Sequence, residues 1–230
     1  MPPLSAWQLS GLGLTLTGIQ LLVVAQHPEP ASDEPDAAHK PRYAHLVNSR
    51  ATAGALIATL LCCLPIVWMP AHQQASWLVW GSATMVLVGV DARTTWLPIR
   101  ATAFAAVSLV IATLVAALRS GPEGLELLVH AGLGAVVAGG LYAALWWISG
   151  SLGFGDVRLA AMAGGLAALG GAELWFASLF AGSAAAAAWG LATMVWRRAH
   201  PSPLGTVFAY GPGLWLGPWL GWGWMALAGA

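Results

Sequence analysis

The sequence predicts an all-α, polytopic transmembrane bundle of about eight helices, and three observations carry that prediction. The chain is 58% hydrophobic, with only nine basic and nine acidic side chains among 230 residues, too few to cover a water-facing surface. Its apolar residues fall in blocks close to the roughly 20 residues that span a hydrocarbon core. Its basic residues alternate from loop to loop, as they do between the two faces of a membrane.

In chain order, the apolar blocks predict helices at 4–25, 51–70, 74–91, 99–118, 124–149, 156–170, 172–196 and 207–228. Val23-Val24-Ala25 resembles a cleavage site, but no Lys or Arg precedes the first block, so residues 1–25 are expected to form a retained helix. Residues 26–50 are polar and carry Pro28, Pro30, Pro35 and Pro41, which predicts a flexible cytoplasmic connection. Its histidines, His27, His39 and His45, lack the spacing and the regular element of a metal site, so no metal is assigned. Residues 51–230 form the remaining bundle. The sixth block is short for a full span, and irregular backbone there is tolerated where protein covers it. In the fifth, Ala131, Ala135, Gly139 and Ala143 repeat small side chains at every fourth position, a pattern for close helix packing.

With the amino terminus outside, Lys40, Arg42, Arg50, Arg93, Arg100, Arg158, Arg197 and Arg198 all fall on the cytoplasmic side and only Arg119 falls outside. Both termini are therefore expected to be external. Tryptophan placement agrees, because Trp68, Trp77, Trp80, Trp175, Trp219, Trp222 and Trp224 lie near outer helix ends and Trp96, Trp146, Trp147 and Trp196 near inner ones. Trp189 and Trp215 are expected to fill the bundle core.

Zero net charge and the lack of a Lys/Arg cluster exclude nucleic-acid binding through phosphate neutralisation. The two cysteines, Cys62 and Cys63, are adjacent in an apolar block and suit neither a disulfide framework nor a zinc site.

Of four aspartates, Asp33 and Asp36 belong to the polar connection, which leaves Asp91 and Asp156 in the apolar part of the chain. An ionisable group there costs several kcal/mol or so unless compensated, which makes it a functional candidate. Asp91 closes the third predicted helix and Asp156 opens the sixth, both on the cytoplasmic side, so the topology lets the two carboxyls meet. Two carboxyls sharing a site divide one proton, the arrangement that activates water for peptide hydrolysis. Gly153 and Gly155 are expected to give the backbone conformations closed to other residues and to admit a peptide closely. A helix N-terminus at Asp156 and a helix C-terminus at Asp91 assign Asp156 as the resting base and Asp91 as the acid.

Gly153-Phe154-Gly155-Asp156-Val157-Arg158-Leu159 and Asp91-Ala92-Arg93-Thr94-Thr95-Trp96-Leu97-Pro98 are similar to the two aspartate motifs of the prepilin peptidases, the Gly-x-Gly-Asp aspartyl proteases. Ala209-Tyr210-Gly211-Pro212-Gly213-Leu214 resembles that family's Gly-Pro element at the last helix. The resemblance covers about residues 75–225 in the expected order. It implies a multi-pass enzyme of the bacterial cytoplasmic membrane, with Asp91 and Asp156 catalytic and Gly153, Gly155, Pro98, Arg158, Gly211 and Pro212 in support. The implied substrate is a prepilin or pseudopilin, whose basic leader ending in glycine is removed at the cytoplasmic face through attack by water, without metal or cofactor. Arg158 stands where the family usually has lysine, and Ile99 replaces a common polar residue. The connection at 26–50 lacks the cysteine-rich insert associated with N-methylation, so a short Tad/Flp-like peptidase without methyltransferase activity is implied.

Three other readings compete. A signal-peptide-peptidase or presenilin-like protease carries Tyr-Asp at its first acid, whereas Val90 precedes Asp91. A non-catalytic component of a pilus or secretion assembly requires no turnover. A proton-relaying transporter is expected to show repeated halves and midplane sites, which this sequence does not present.

Overall fold

The computed structural model describes residues 3–29, 41–150, 152–200 and 208–229, and within these residues it contains helices and no strand. The long helices are α1 (Ala6–Ala25), α2 (Ser49–Ile66), α3 (Gln74–Thr94), α4 (Ile99–Arg119), α5 (Gly124–Ser149), α6 (Phe154–Ala168), α7 (Ala172–Ala199) and α8 (Gly211–Ala228). Among the described residues, six helices, α1 to α5 and α7, are long and apolar enough to cross a membrane. Their outward faces expose large aliphatic side chains, as Val107, Val110, Ile111 and Leu114 do on α4. A multi-pass membrane protein follows from those two facts. The 15 residues of α6 rise only about 22 Å, short of a hydrocarbon core.

Short connections make successive helices antiparallel, and side-chain bonds fix which ends lie together. Gln74 is fully buried at the start of α3, where its Oε1 accepts the Leu4 N–H at 2.8 Å and its Nε2 donates to the carbonyls of Ile66, Val67 and Met69 at 3.3–3.4 Å. At the same end, Gln73 Nε2 donates to the Leu169 carbonyl at 2.7 Å, tying in α6. Toward the other end, Gln20 Nε2 on α1 donates to the Ala101 carbonyl at the start of α4, at 3.0 Å. Gln73 and Gln74 thus supply donors to carbonyls at and just beyond the C-terminal ends of α2 and α6, where the helices provide fewer.

α3 is the central helix, buried over most of its length. It is interrupted by a π-helical segment, Trp80–Thr84, which the sequence does not signal. The wider turn changes the angular relation between the half of α3 carrying Trp77 and the half carrying Asp91. Trp80 and Trp215 lock this segment to α8 reciprocally, with Trp80 Nε1 donating to the Trp215 carbonyl at 3.1 Å and Trp215 Nε1 donating to the Trp80 carbonyl at 2.9 Å. Trp77 and Trp80 are thus fully buried instead of lying at an interface, while Trp189, expected in the core, is half exposed. Trp68 and Trp224 are exposed near helix ends, as the sequence predicts.

Two pairs of helices are close-packed, α5 with α6 and α7 with α8. The small-residue stripe of α5 faces α6, where a Cβ added to Gly165 meets Ala135 Cβ at 3.3 Å and one added to Gly139 meets Ala161 Cβ at 3.1 Å. A second ladder, not singled out from the sequence, runs through Gly213, Gly217 and Gly221 on α8 against Ala186, Gly182 and Ser178 on α7. Both ladders repeat every fourth residue, so the backbones approach closely along a whole face. A Cβ at Gly217 would stand 2.9 Å from the Gly182 Cα and closer still to the Ser178 carbonyl. Gly217→Leu is therefore expected to cost about 3 kcal/mol or more, seen as a lower melting temperature and a heterogeneous size-exclusion profile in detergent.

The predicted boundaries shift by a few residues. α2 runs from Ser49 to Ile66 instead of 51–70, α3 continues past Asp91 to Thr94, α6 begins at Phe154 instead of 156, and α7 extends to Ala199. The last helix begins at Gly211, and Pro212 occupies its first turn, where the missing N–H costs no helical bond. Lys40, His39, Asp33, Asp36 and residue 207, the predicted start of that helix, lie outside the described residues. Part of the 26–50 connection is regular, because Tyr43–Leu46 form one helical turn with Tyr43 and Leu46 buried.

Candidate active site

At the end of the bundle where α3 finishes and α6 begins, both acids line one cavity of about 450 Å³. Asp91 is 3% exposed and Asp156 7%, and they are the only charged side chains buried among the described residues. An isolated buried carboxylate costs several kcal/mol or so, and each of these two is met by a backbone donor. Gly153 N–H donates to Asp156 Oδ2 at 3.1 Å, and Gly211 N–H donates to Asp91 Oδ2 at 3.0 Å.

Asp156 is the third residue of α6, not its opening residue. Gly153 is the N-cap, its carbonyl accepts the Asp156 N–H at 3.0 Å, and the Asp156 carboxylate returns to the Gly153 N–H. Only this half of a capping box exists, since glycine has no side chain with which to reciprocate. Asp91 lies in the last turn of α3, and the first-turn N–H it receives comes from α8. Both carboxyls therefore face the N-terminal donors of a helix. That removes the helix-end asymmetry used to divide base from acid, because the sequence does not reveal that α8 points at Asp91.

The two glycines of the second motif play different parts from those expected. Gly153 has φ −78° and ψ 147°, and neither Gly153 nor Gly155 has the positive φ that favours glycine. What Gly155 supplies is space: a Cβ there would stand 2.8 Å from Leu97 Cδ1 and 2.9 Å from Leu97 Cβ. The first motif thus packs directly on the second, and the absent side chain of Gly155 is what lets the cavity walls close. At Gly153 an added Cβ meets Asp156 Oδ2 at an ordinary 3.4 Å. Gly155→Ala is expected to displace the 91–98 segment and lower the melting temperature, at a cost of about 1–3 kcal/mol. Gly153→Ala is expected to stay within about 0.5 kcal/mol of the wild type, since no contact is forced. Thermal unfolding of the two purified variants distinguishes them.

Between Asp91 and Pro98 the chain reverses at Thr95, whose φ of 56° is unusual for a β-branched residue. The turn is held by Thr95 N–H donating to the Asp91 carbonyl at 2.7 Å and by Trp96 N–H donating to Thr94 Oγ1 at 3.1 Å. Such a conformation costs roughly 1–3 kcal/mol and persists where the surroundings over-determine it. Pro98 lines the cavity and N-caps α4, and its carbonyl accepts from Thr102 N–H and Oγ1 at 2.8 and 2.9 Å.

Arg158 is not among the described cavity-lining residues. Its guanidinium lies 4.9 Å from the centre of the Phe154 ring, which in turn meets Trp146 edge-on at 5.4 Å. It braces the outer face of the α6 N-terminus by cation–π packing. Gly211 reaches the site through Asp91, while Pro212 orients the helix that carries it.

The remaining wall comes from residues the sequence left in a loop. His27, Pro28 and Tyr43 line the cavity, and the His27 and Tyr43 rings meet edge-on at 5.1 Å. Burial, reinforced by the nearby Glu29 charge, pushes the Tyr43 phenol up to about 12, so it is neutral throughout the physiological range. The sequence signal was a lone aromatic followed by two apolar positions, Leu46 and Val47, inside an otherwise polar stretch. Among the described residues, no group of three or more His, Cys, Asp or Glu side chains is placed to hold a metal ion.

No protein-family model matches the chain, and no curated protein or solved structure matches it.

Proposed function

We propose that the chain is an intramembrane aspartyl endopeptidase that removes the basic leader of a prepilin or pseudopilin at the cytoplasmic membrane face. The observation that carries this reading is the convergence of the two buried acids, 65 residues apart in sequence, on one cavity. The motif resemblance supports the substrate class. In the proposed reaction one carboxylate takes a proton from water, the resulting hydroxyl oxygen bonds to the scissile carbonyl carbon, and the other carboxyl protonates the carbonyl oxygen. Collapse of the diol breaks the C–N bond: the departing amine receives a proton from the acid that gained one, and a diol hydroxyl gives its proton to the other carboxylate, which leaves a carboxyl product and restores the starting pair.

The proposal includes a bundle of about eight helices, the sixth a short one, with both termini external in a bacterial cytoplasmic membrane. Arg50, Arg93, Arg100, Arg158, Arg197 and Arg198 then lie at the cavity end, and Arg119 at the other. A single-span substrate orients its basic leader to that same side. Peptidase activity without methyltransferase activity completes the reading.

Co-expression with a candidate prepilin tests it. Leader removal is expected with the wild type and not with the Asp91→Asn/Asp156→Asn double variant; processing that survives the double variant overturns the proposal.

A further inference from the structure

A second recess opens on the opposite side of the α3 C-terminal half, and it is built differently from the acid cavity. On α3, Val86, Gly89, Val90 and Arg93 lie at i, i+3, i+4 and i+7, one helical stripe. On α2, Arg50, Ala51, Gly54 and Ala55 form the facing stripe, and Leu21 and Val24 of α1 close the back. The groove between them has a volume of about 270 Å³. It exists because two side chains are missing: a Cβ added to Gly54 or to Gly89 finds nothing within 4 Å. Helices that meet through glycines elsewhere in this bundle are in backbone contact, as at Gly217 and Gly182, whereas these two glycines hold a gap open.

The chemistry of the lining selects the occupant. Every described lining residue is apolar or glycine except Arg50 and Arg93, and none is acidic. Arg50 is the second residue of α2 and Arg93 the penultimate residue of α3, so both arginines are placed at the same end of the groove, the end at which these two apolar helices finish. Below them the groove extends about two helical turns along apolar side chains. A free anion would use the two charges and leave the apolar walls unfilled; a peptide helix, about 10–12 Å across with its side chains, is too bulky for a groove of about 270 Å³.

We propose that this groove binds one anionic phospholipid, its phosphate held by Arg50 and Arg93 and the upper part of an acyl chain lying along Gly54 and Gly89. Filling the gap replaces an unpacked recess with dispersion contacts, and the two arginines favour an anionic headgroup over a zwitterionic one. The site requires the bundle to span a membrane and is independent of the peptidase reading. It also adjoins that site, since Arg93 and Asp91 are two residues apart on α3.

The test uses the full chain purified in nonionic detergent, with lipid retention followed by native mass spectrometry. Palmitoyl-oleoyl-phosphatidylglycerol is expected to be retained roughly tenfold better than the phosphatidylcholine of the same chains. Arg50→Gln/Arg93→Gln is expected to abolish that preference, and Arg197→Gln/Arg198→Gln to keep it. Gly89→Leu, tolerated sterically because its space is open, is expected to lower retention of both lipids with helical content unchanged. Glycerol phosphate at millimolar concentration is expected not to displace the lipid. Equal retention of the two lipids by the wild type, equal losses in the two arginine pairs, full retention by Gly89→Leu, or displacement by glycerol phosphate each overturns the proposal.

Discussion

Asp91→Asn and Asp156→Asn are each expected to lower leader cleavage by about 10³-fold or more while leaving the protein folded, because in the proposed reaction each acid carries a proton that the other cannot carry in its place. Asparagine is nearly isosteric and its amide oxygen still accepts the N–H of Gly211 or Gly153, so the backbone frame around the site is kept. Replacing a buried charge by a neutral amide also relieves desolvation, so the melting temperature is expected to hold or rise. The double variant is expected to be no slower than either single, since two groups acting as one unit are not additive. Single-turnover cleavage of a purified prepilin in detergent, with thermal unfolding of the same samples, measures both quantities. Slow single variants with an unchanged fold support the dyad. Variants that unfold assign the acids to structure, and variants that cleave normally remove them from the reaction.

Gly211→Ala is expected to lower kcat about 100-fold with little change in KM, although residue 211 bears no reactive group. An alanine Cβ there would stand 2.5 Å from Asp91 Oδ2 and 3.2 Å from its Cγ, so the carboxyl must move and lose the 3.0 Å bond from the Gly211 N–H. The methyl group cannot turn aside, because it is fixed to the first residue of α8 and α8 is held against α7 by its glycine ladder. Gly223→Ala, on the same helix with nothing within 4 Å of the added Cβ, is expected to be indistinguishable from the wild type. Gly211→Ala and Gly223→Ala compared at saturating and subsaturating substrate separate a displaced Asp91 carboxyl from a general weakening of α8. Equal effects in both variants sink this account.

The glycine at 211 shows where legibility ends. Gly211-Pro212 is visible as a helix start, but its partner is 120 residues away, and no periodicity in the chain points α8 at Asp91. The same holds for Gly155: its spacing from Asp156 is apparent, whereas its real contact is Leu97. The tryptophans divide in the same way. Trp68 and Trp224 are exposed near helix ends as expected of interfacial rings, but Trp77 and Trp80 are core residues because a π segment and α8 enclose them.

From residues alone came the all-helical class, the helix order within a few residues, and the pair of acids as the candidate site, because these depend on local quantities: apolar run length, turn chemistry, and the cost of a charge in an apolar segment. Tertiary structure alone decided that α8 donates to Asp91, that Tyr43 and His27 wall the cavity, that Gly155 seats Leu97, and that α2 and α3 part around two glycines. Each of those is a contact between distant stretches whose individual sequences carry no term for the other, so only the packed bundle brings them into being.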